Sequence, residues 1–197
     1  MVKEEIKWLI LAETNLKGER LLPKFGGYWD EYDLWTEDFV PRDSVARFLN
    51  RELTRKEENY EQRLYFLWTF FVWNAAKAYI NFWQLTNREI ELVNPLPDNI
   101  TIPTHDYQTG TLLYSVSQRI KSSSITSYFT NFYNMFVKKL VEENPVLKND
   151  SIWNYIFSGV IEAEGEEKGL EILLLFKNEL QEPNEIEKKE HVLSKLD

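Results

Sequence analysis

The amino-acid sequence predicts an α+β fold: a mixed or antiparallel sheet packed on a long aromatic-rich helix and a second amphipathic helix. Three observations carry that expectation. Tyr60 to Trp83 is a helix-length span with ten aromatic residues, apolar round most of its circumference, as a central core helix is. From about Ser124 to Glu143 the apolar pairs Tyr128/Phe129, Phe132/Tyr133, Phe136/Val137 and Leu140/Val141 recur every four residues, which is one-sided helical spacing. Around these two helices lie short apolar runs bounded by Gly, Pro and Asn, which read as strands.

Taken in order, Ile6 to Ala12 is a compact apolar run read as a buried strand. Thr14 to Gly27 is loop-like and ends in Phe25-Gly26-Gly27-Tyr28-Trp29, after which aromatics and acids mix as far as Phe39. Beyond Pro41, Asp43 or Ser44 can cap a helix whose apolar positions are Val45, Phe48 and Leu49. Thr54-Arg55-Lys56-Glu57 has capping-box spacing and is expected to start the long helix, which should run to about Asn87. Glu89 to Val93 and Asn99 to Ile102 are short strands punctuated by Pro95, Pro97 and Pro103. Thr111 to Lys121 alternates, with Leu112, Tyr114, Val116 and Ile120 on one face. The second helix stops at Asn144-Pro145. Ser158 to Glu164 and Leu170 to Phe176 flank Gly-Glu-Glu-Lys-Gly and read as a β-hairpin. Past Pro183, Asn184 can cap a short charged helix. The expected organisation is one globular domain over 1–182 and a charged helical tail over 183–197.

Composition narrows the function classes. A hydrophobic content of 43% with 15% aromatics is that of a globular chain. The net charge of −9 argues against non-specific nucleic-acid binding, because phosphate contacts demand a basic surface. With no cysteine, the chain has no disulfide, thiolate zinc site or cysteine nucleophile, and only His105 and His191 offer imidazole. The opening residues do not read as a signal peptide, since Glu4, Glu5 and Glu13 bracket a short apolar run. The aromatic helix does not read as a membrane span: Asn74, Lys77 and Asn81 interrupt it, and a central Lys costs ~2.5–3.5 kcal/mol on insertion. The expectation is a cytoplasmic protein without a cofactor.

Four groups of residues qualify as candidate sites. On the long helix Arg63, Asn74, Lys77, Asn81, Gln84 and Arg88 share a narrow stripe, and Phe66 and Phe70 lie on it. Two Phe residues on the one polar face point to a covered surface, either by another element of the chain or by a partner or second copy. Arg47, Arg51 and Arg55, spaced four apart, line one helix face that suits phosphate or an acidic partner; nearby Glu52, Glu57 and Glu58 equally suit an ion-paired, solvated face. Asp30, Glu31, Asp33, Glu37 and Asp38 are a carboxylate cluster of the kind that holds divalent cations, though interleaved aromatics also fit a plain inside–outside alternation. Arg119 and Lys121, before three serines, fit either an anion contact or an exposed strand end, and His105 has no partner at diagnostic spacing. No catalytic signature or Gly-rich phosphate loop is present.

The profile of an acidic, cysteine-free chain with the Ile6-Lys7-Trp8-Leu9-Ile10-Leu11-Ala12-Glu13 run, the aromatic central helix and the segment from Gly159 to Phe176 resembles the accessory seventh subunit of Sulfolobales type III-B (Cmr) CRISPR effector complexes. The resemblance implies a non-catalytic assembly protein, homodimeric, whose other partners are protein subunits of an RNA-guided complex, and it implies no catalytic residues. An alternative is a metal-dependent enzyme, a nuclease or sugar-nucleotide transferase, using the Asp30–Asp38 cluster. Against the transferases, the segment has no Asp-x-Asp, only the looser Glu31-Tyr32-Asp33. A crenarchaeal viral protein that binds a host protein is a further alternative.

Overall fold

The computed structural model describes residues 21–22, 25–32, 34–37, 43–55, 59–88, 92, 95–101, 112–113 and 125–180. An antiparallel pair, β1 (Phe25–Trp29) and β2 (Leu34–Glu37), is joined by a 3₁₀ turn over Asp30–Tyr32. Helix α1 (Val45–Thr54) leads to the long α2 (Tyr60–Leu85). A second two-stranded pair follows, β3 (Ile100–Thr101) with β4 (Leu112–Leu113). Helix α3 (Ile125–Phe132) passes through a π-helical stretch (Tyr133–Lys138) into α4 (Lys139–Glu143). Two helices close the described chain, α5 (Ile152–Glu164) and α6 (Glu166–Leu180).

The described residues are therefore mostly helical, which corrects the expected α+β fold with a sheet on the helices. Among the described residues the strands make two short pairs and no sheet of three or more. The largest departure is the expected hairpin at 158–176, which is two helices. Glu162 and Glu164 alternate with apolar neighbours and imitate a strand. Begun earlier, at Ile152, the same stretch shows Ile152, Trp153, Ile156, Phe157 and Val160 buried together, which is helical spacing. Gly165, at φ +80°, turns the chain between α5 and α6 in a conformation that a β-carbon disfavours. Of the three stretches that carry the family resemblance, the one read as a hairpin is thus helical, as the aromatic central stretch was expected to be.

A second correction concerns the start of the long helix. Thr54 ends α1, where its hydroxyl donates to the Arg51 carbonyl (2.7 Å), and α2 begins only after Asn59, in the left-handed region at φ 61°. The α1 cap is as expected: Ser44 Oγ accepts from the Arg47 amide at 3.3 Å. The stop at Asn144-Pro145 is also as expected, since a 3₁₀ turn (Pro145–Leu147) follows α4. The strand expected at Ile6–Ala12 and the helical tail lie outside the described residues, as do most of Glu89–Val93 and of Thr111–Lys121.

Helix α2 organises the core. It packs most extensively on α5, with α1, β4 and the Pro145–Leu147 turn also against it. Trp68, Phe71, Tyr79 and Phe82 of α2 are at most 1% exposed, as are Tyr128, Phe132 and Phe136 across from them. Their rings meet: Tyr79–Tyr128 centroids are 4.1 Å apart, Phe132–Phe136 5.2 Å and Trp68–Phe136 6.3 Å. Each fully buried aromatic contributes about 1.5–3 kcal/mol, against about 0–1 kcal/mol for a surface ion pair, so aromatic packing dominates. Several buried polar groups here have partners, although the Trp68 and Trp83 indole nitrogens have none. The Tyr79 hydroxyl donates to the Leu92 carbonyl (3.1 Å), the Tyr128 hydroxyl to the Tyr79 carbonyl, and Asn131 Nδ2 to the Leu92 carbonyl (2.8 Å). The α2–α5 crossing is close at Gly159, where a β-carbon would lie 2.5 Å from the Trp73 carbonyl oxygen and 3.0 Å from the Lys77 nitrogen.

Candidate protein interface

The face of α2 that turns away from the core divides in two along its length. Towards the C-terminal half its polar side chains are engaged within the chain. Lys77 Nζ reaches Glu162 of α5 at 3.2 Å and stands 5.5 Å over the Trp73 ring. Asn74 Nδ2 donates back to the Phe70 carbonyl at 2.9 Å, and Arg88 Nε donates to Gln84 Oε1 at 3.3 Å.

Towards the N-terminal half the same face is aromatic. Phe66 is 66% exposed and Phe70 is half-buried; their rings stack at 6.4 Å with 14° between planes. One side of this pair is supported from below. Phe70 touches Phe71 (6.1 Å), and Phe71 receives the edge of Phe48 from α1 (5.3 Å). On the other side Tyr65 is half-exposed, with its hydroxyl 3.5 Å from that of Tyr155 and accepting from Asn149 Nδ2 at 3.2 Å. The hydrogen bond with Tyr65, reinforced by burial, raises the Tyr155 phenol above its ordinary value. No element among the described residues covers Phe66.

Arginines of α1 and the start of α2 lie on the Phe48 side. Glu52 of α1, buried to 7% side-chain exposure, is ion-paired with Arg55 (3.0 Å) and with Arg63 (3.1 Å), which lies one turn before Phe66. Arg51 pairs with Asp43 and lays its guanidinium 5.0 Å over the Phe48 ring. Arg47 is exposed, with no carboxylate partner among the described residues. The four-residue spacing therefore does not yield three free cations: Arg51 and Arg55 are ion-paired, and Arg47 stands in solvent.

The remaining candidates stay apart. Asp30 and Glu31 are exposed on the turn between β1 and β2, and Asp30 Oδ1 accepts from the Tyr28 hydroxyl at 3.3 Å. Among the described residues no three His, Asp or Glu side chains converge to hold a metal ion. Asp33, Asp38, His105, Arg119 and Lys121 lie outside them, and the Glu37 side chain is likewise not described. No helix among them is long and apolar enough to cross a membrane.

One surface was not foreseen. Leu170 (47% exposed), Leu174 (59%) and Leu175 (41%) lie on the outer side of α6, with Glu167 and Glu171 exposed beside them. The leucines had the signature of a buried strand; only a helical reading with Gly169, Ile172 and Phe176 inward turns Leu170 and Leu174 outward. Among the described residues the geometry thus offers these two exposed apolar faces, exposed Trp29, Tyr32 and Leu34 at the β1–β2 pair, and no assembled chemical site. Comparison of the sequence with protein-family models and with curated proteins finds no match to either.

Proposed function

We propose that the chain is a non-catalytic protein–protein assembly subunit, homodimeric, that serves as an accessory part of a nucleoprotein complex. The observation that carries the assembly role is the exposed, stacked Phe66–Phe70 pair on an otherwise tightly packed helix. Large aromatics left in water beside arginines are the residue types that anchor protein interfaces, where covering one ring recovers its burial energy. The family resemblance of the sequence supports an RNA-guided assembly as the setting. The net charge of −9 favours docking on basic protein surfaces over contact with phosphate.

The test is the mass of the chain in solution, by light scattering on a sizing column, for the wild type and for Phe66→Glu with Phe70→Glu. A dimer that becomes a folded monomer, with unchanged far-ultraviolet dichroism, is the expected result. Because Phe70 is half-buried, Phe66→Glu alone is the control for unfolding, and it should weaken the dimer by itself. A wild-type monomer at every concentration, or a dimer indifferent to both variants, would overturn the self-association. Affinity purification from native cells tests the setting: co-purifying protein subunits with short guide RNAs are expected, and recovery of the chain alone would reject it.

A further inference from the structure

Taking the self-association just proposed as its basis, we infer that the two copies meet along α2, antiparallel, in the register that sets Phe66 of each copy beside Phe70 of the other. Arg63, Phe66, Phe70, Trp73 and Lys77 follow one another at alternating steps of three and four residues. That is the spacing of a coiled-coil seam, whose positions stay on one side of a helix and pack in layers against a second helix. Phe66 is 66% exposed and the other four are partly exposed, while Trp68, Phe71, Ala75 and Tyr79 turn to the core. Helix α2 thus carries one seam inward, already packed, and another outward.

The order of residues in the outer seam selects a second copy as its occupant. A two-fold contact is self-complementary: whatever one residue meets on the partner, its counterpart meets in return. With the two-fold axis between Phe66 and Phe70, Phe66 lies beside the partner's Phe70, and Arg63 lies beside the partner's Trp73. The stacked pair within each copy, 6.4 Å apart, then joins its equivalent to bring all the phenyl rings into the two central layers. Trp73 already carries Lys77 at 5.5 Å from its ring centre, so the indole receives a cation within its own chain as it does Arg63 across the contact. Lys77 comes to the start of the partner's α2, beside the partner's Asn59.

Other arrangements lose these matches. With the helices parallel, each seam position meets itself, which closes Arg63 on Arg63 and Lys77 on Lys77. Slid by one seam position either way, the antiparallel pair sets Phe66 on the partner's Arg63 or on the partner's Lys77. Each slide parts the most exposed ring of the seam from an apolar counterpart.

The chain has no cysteine, so introduced cysteines report the register directly. A disulfide needs Cα atoms within about 7 Å. In the inferred register ten residues, about 15 Å of helix, separate Arg63 from the partner's Arg63. Full-length Arg63→Cys and Trp73→Cys are mixed in equal amounts, at a concentration where light scattering shows dimer, and oxidised with diamide. Phe66→Cys mixed with Phe70→Cys is the second pair, should replacement of Trp73 unfold the chain. Each mixture is expected to give a disulfide-linked heterodimer at least tenfold more abundant than the self-linked product of either variant alone. Self-linking of Arg63→Cys or Phe66→Cys as efficient as the mixture would show a parallel contact. Absence of a link in both mixtures, while they are dimeric, would place the contact elsewhere. In either case this inference falls and the assembly reading stands. If the wild-type chain is monomeric throughout, both fall.

Discussion

Glu52 illustrates how one residue ties two helices at this end of the molecule. Its carboxylate is buried, yet its partners Arg55 and Arg63 keep 50% and 38% of their side-chain surface, so solvent screens much of the attraction. Glu52→Ala would remove the buried carboxylate that pairs with both guanidiniums and is expected to cost about 1–2 kcal/mol in denaturant unfolding. Arg51→Ala, which removes an exposed pair with Asp43 and the guanidinium over Phe48, should cost about 0.5–1 kcal/mol. Glu164 behaves oppositely. Burial raises its carboxyl above the ordinary 4.5, against the opposing pull of Lys168 and Arg88. The folded state then holds the proton more tightly than the unfolded chain, so the group costs stability as pH rises through the interval above 4.5. Glu164→Gln is expected to be more stable than wild type at pH 7 and to lose that advantage below pH 4.5, as melting at both pH values will show.

Among the elements, the helices with strong one-sided or all-round apolar patterns were readable from sequence, and the short charged ones were not. The spacing of Tyr128, Phe132, Phe136 and Leu140 survives passage through the π-helical stretch, and each is buried as the pattern requires. By contrast α6 alternates Glu, Lys and Leu over a narrow buried edge of Gly169, Ile172 and Phe176, so its periodicity is blurred by three exposed leucines. Those leucines break the rule that makes sequences legible, and an exposed surface for association is a physical reason to break it. Gly159 was equally silent, because nothing local shows that its α-hydrogen faces another backbone. Gly159→Ala should gain about 1 kcal/mol of helix propensity yet lose about 3 kcal/mol to overlap with the Trp73 and Lys77 backbone. The net expectation is a melting temperature lower by several degrees.

At the scale of the whole molecule, the candidate interface was half legible. Phe66 and Phe70 stood out because they share a stripe with Arg63 and Lys77, and the structure leaves Phe66 uncovered. The α6 face was hidden by the strand reading. Charge was legible only as a total: the net value is acidic, while folding brings Arg55 and Arg63 together on Glu52. Helix α2 depends for its main packing on α5, and the Lys77–Glu162 contact that marks their crossing joins residues 85 apart in the chain. Closing a loop of that length costs about 4 kcal/mol before the aromatic contacts begin to compensate it. During synthesis, at ~5–20 residues per second, α2 leaves the ribosome roughly ten seconds ahead of its partner. Its ten aromatics then wait in water, where a chaperone would find this chain at its most exposed.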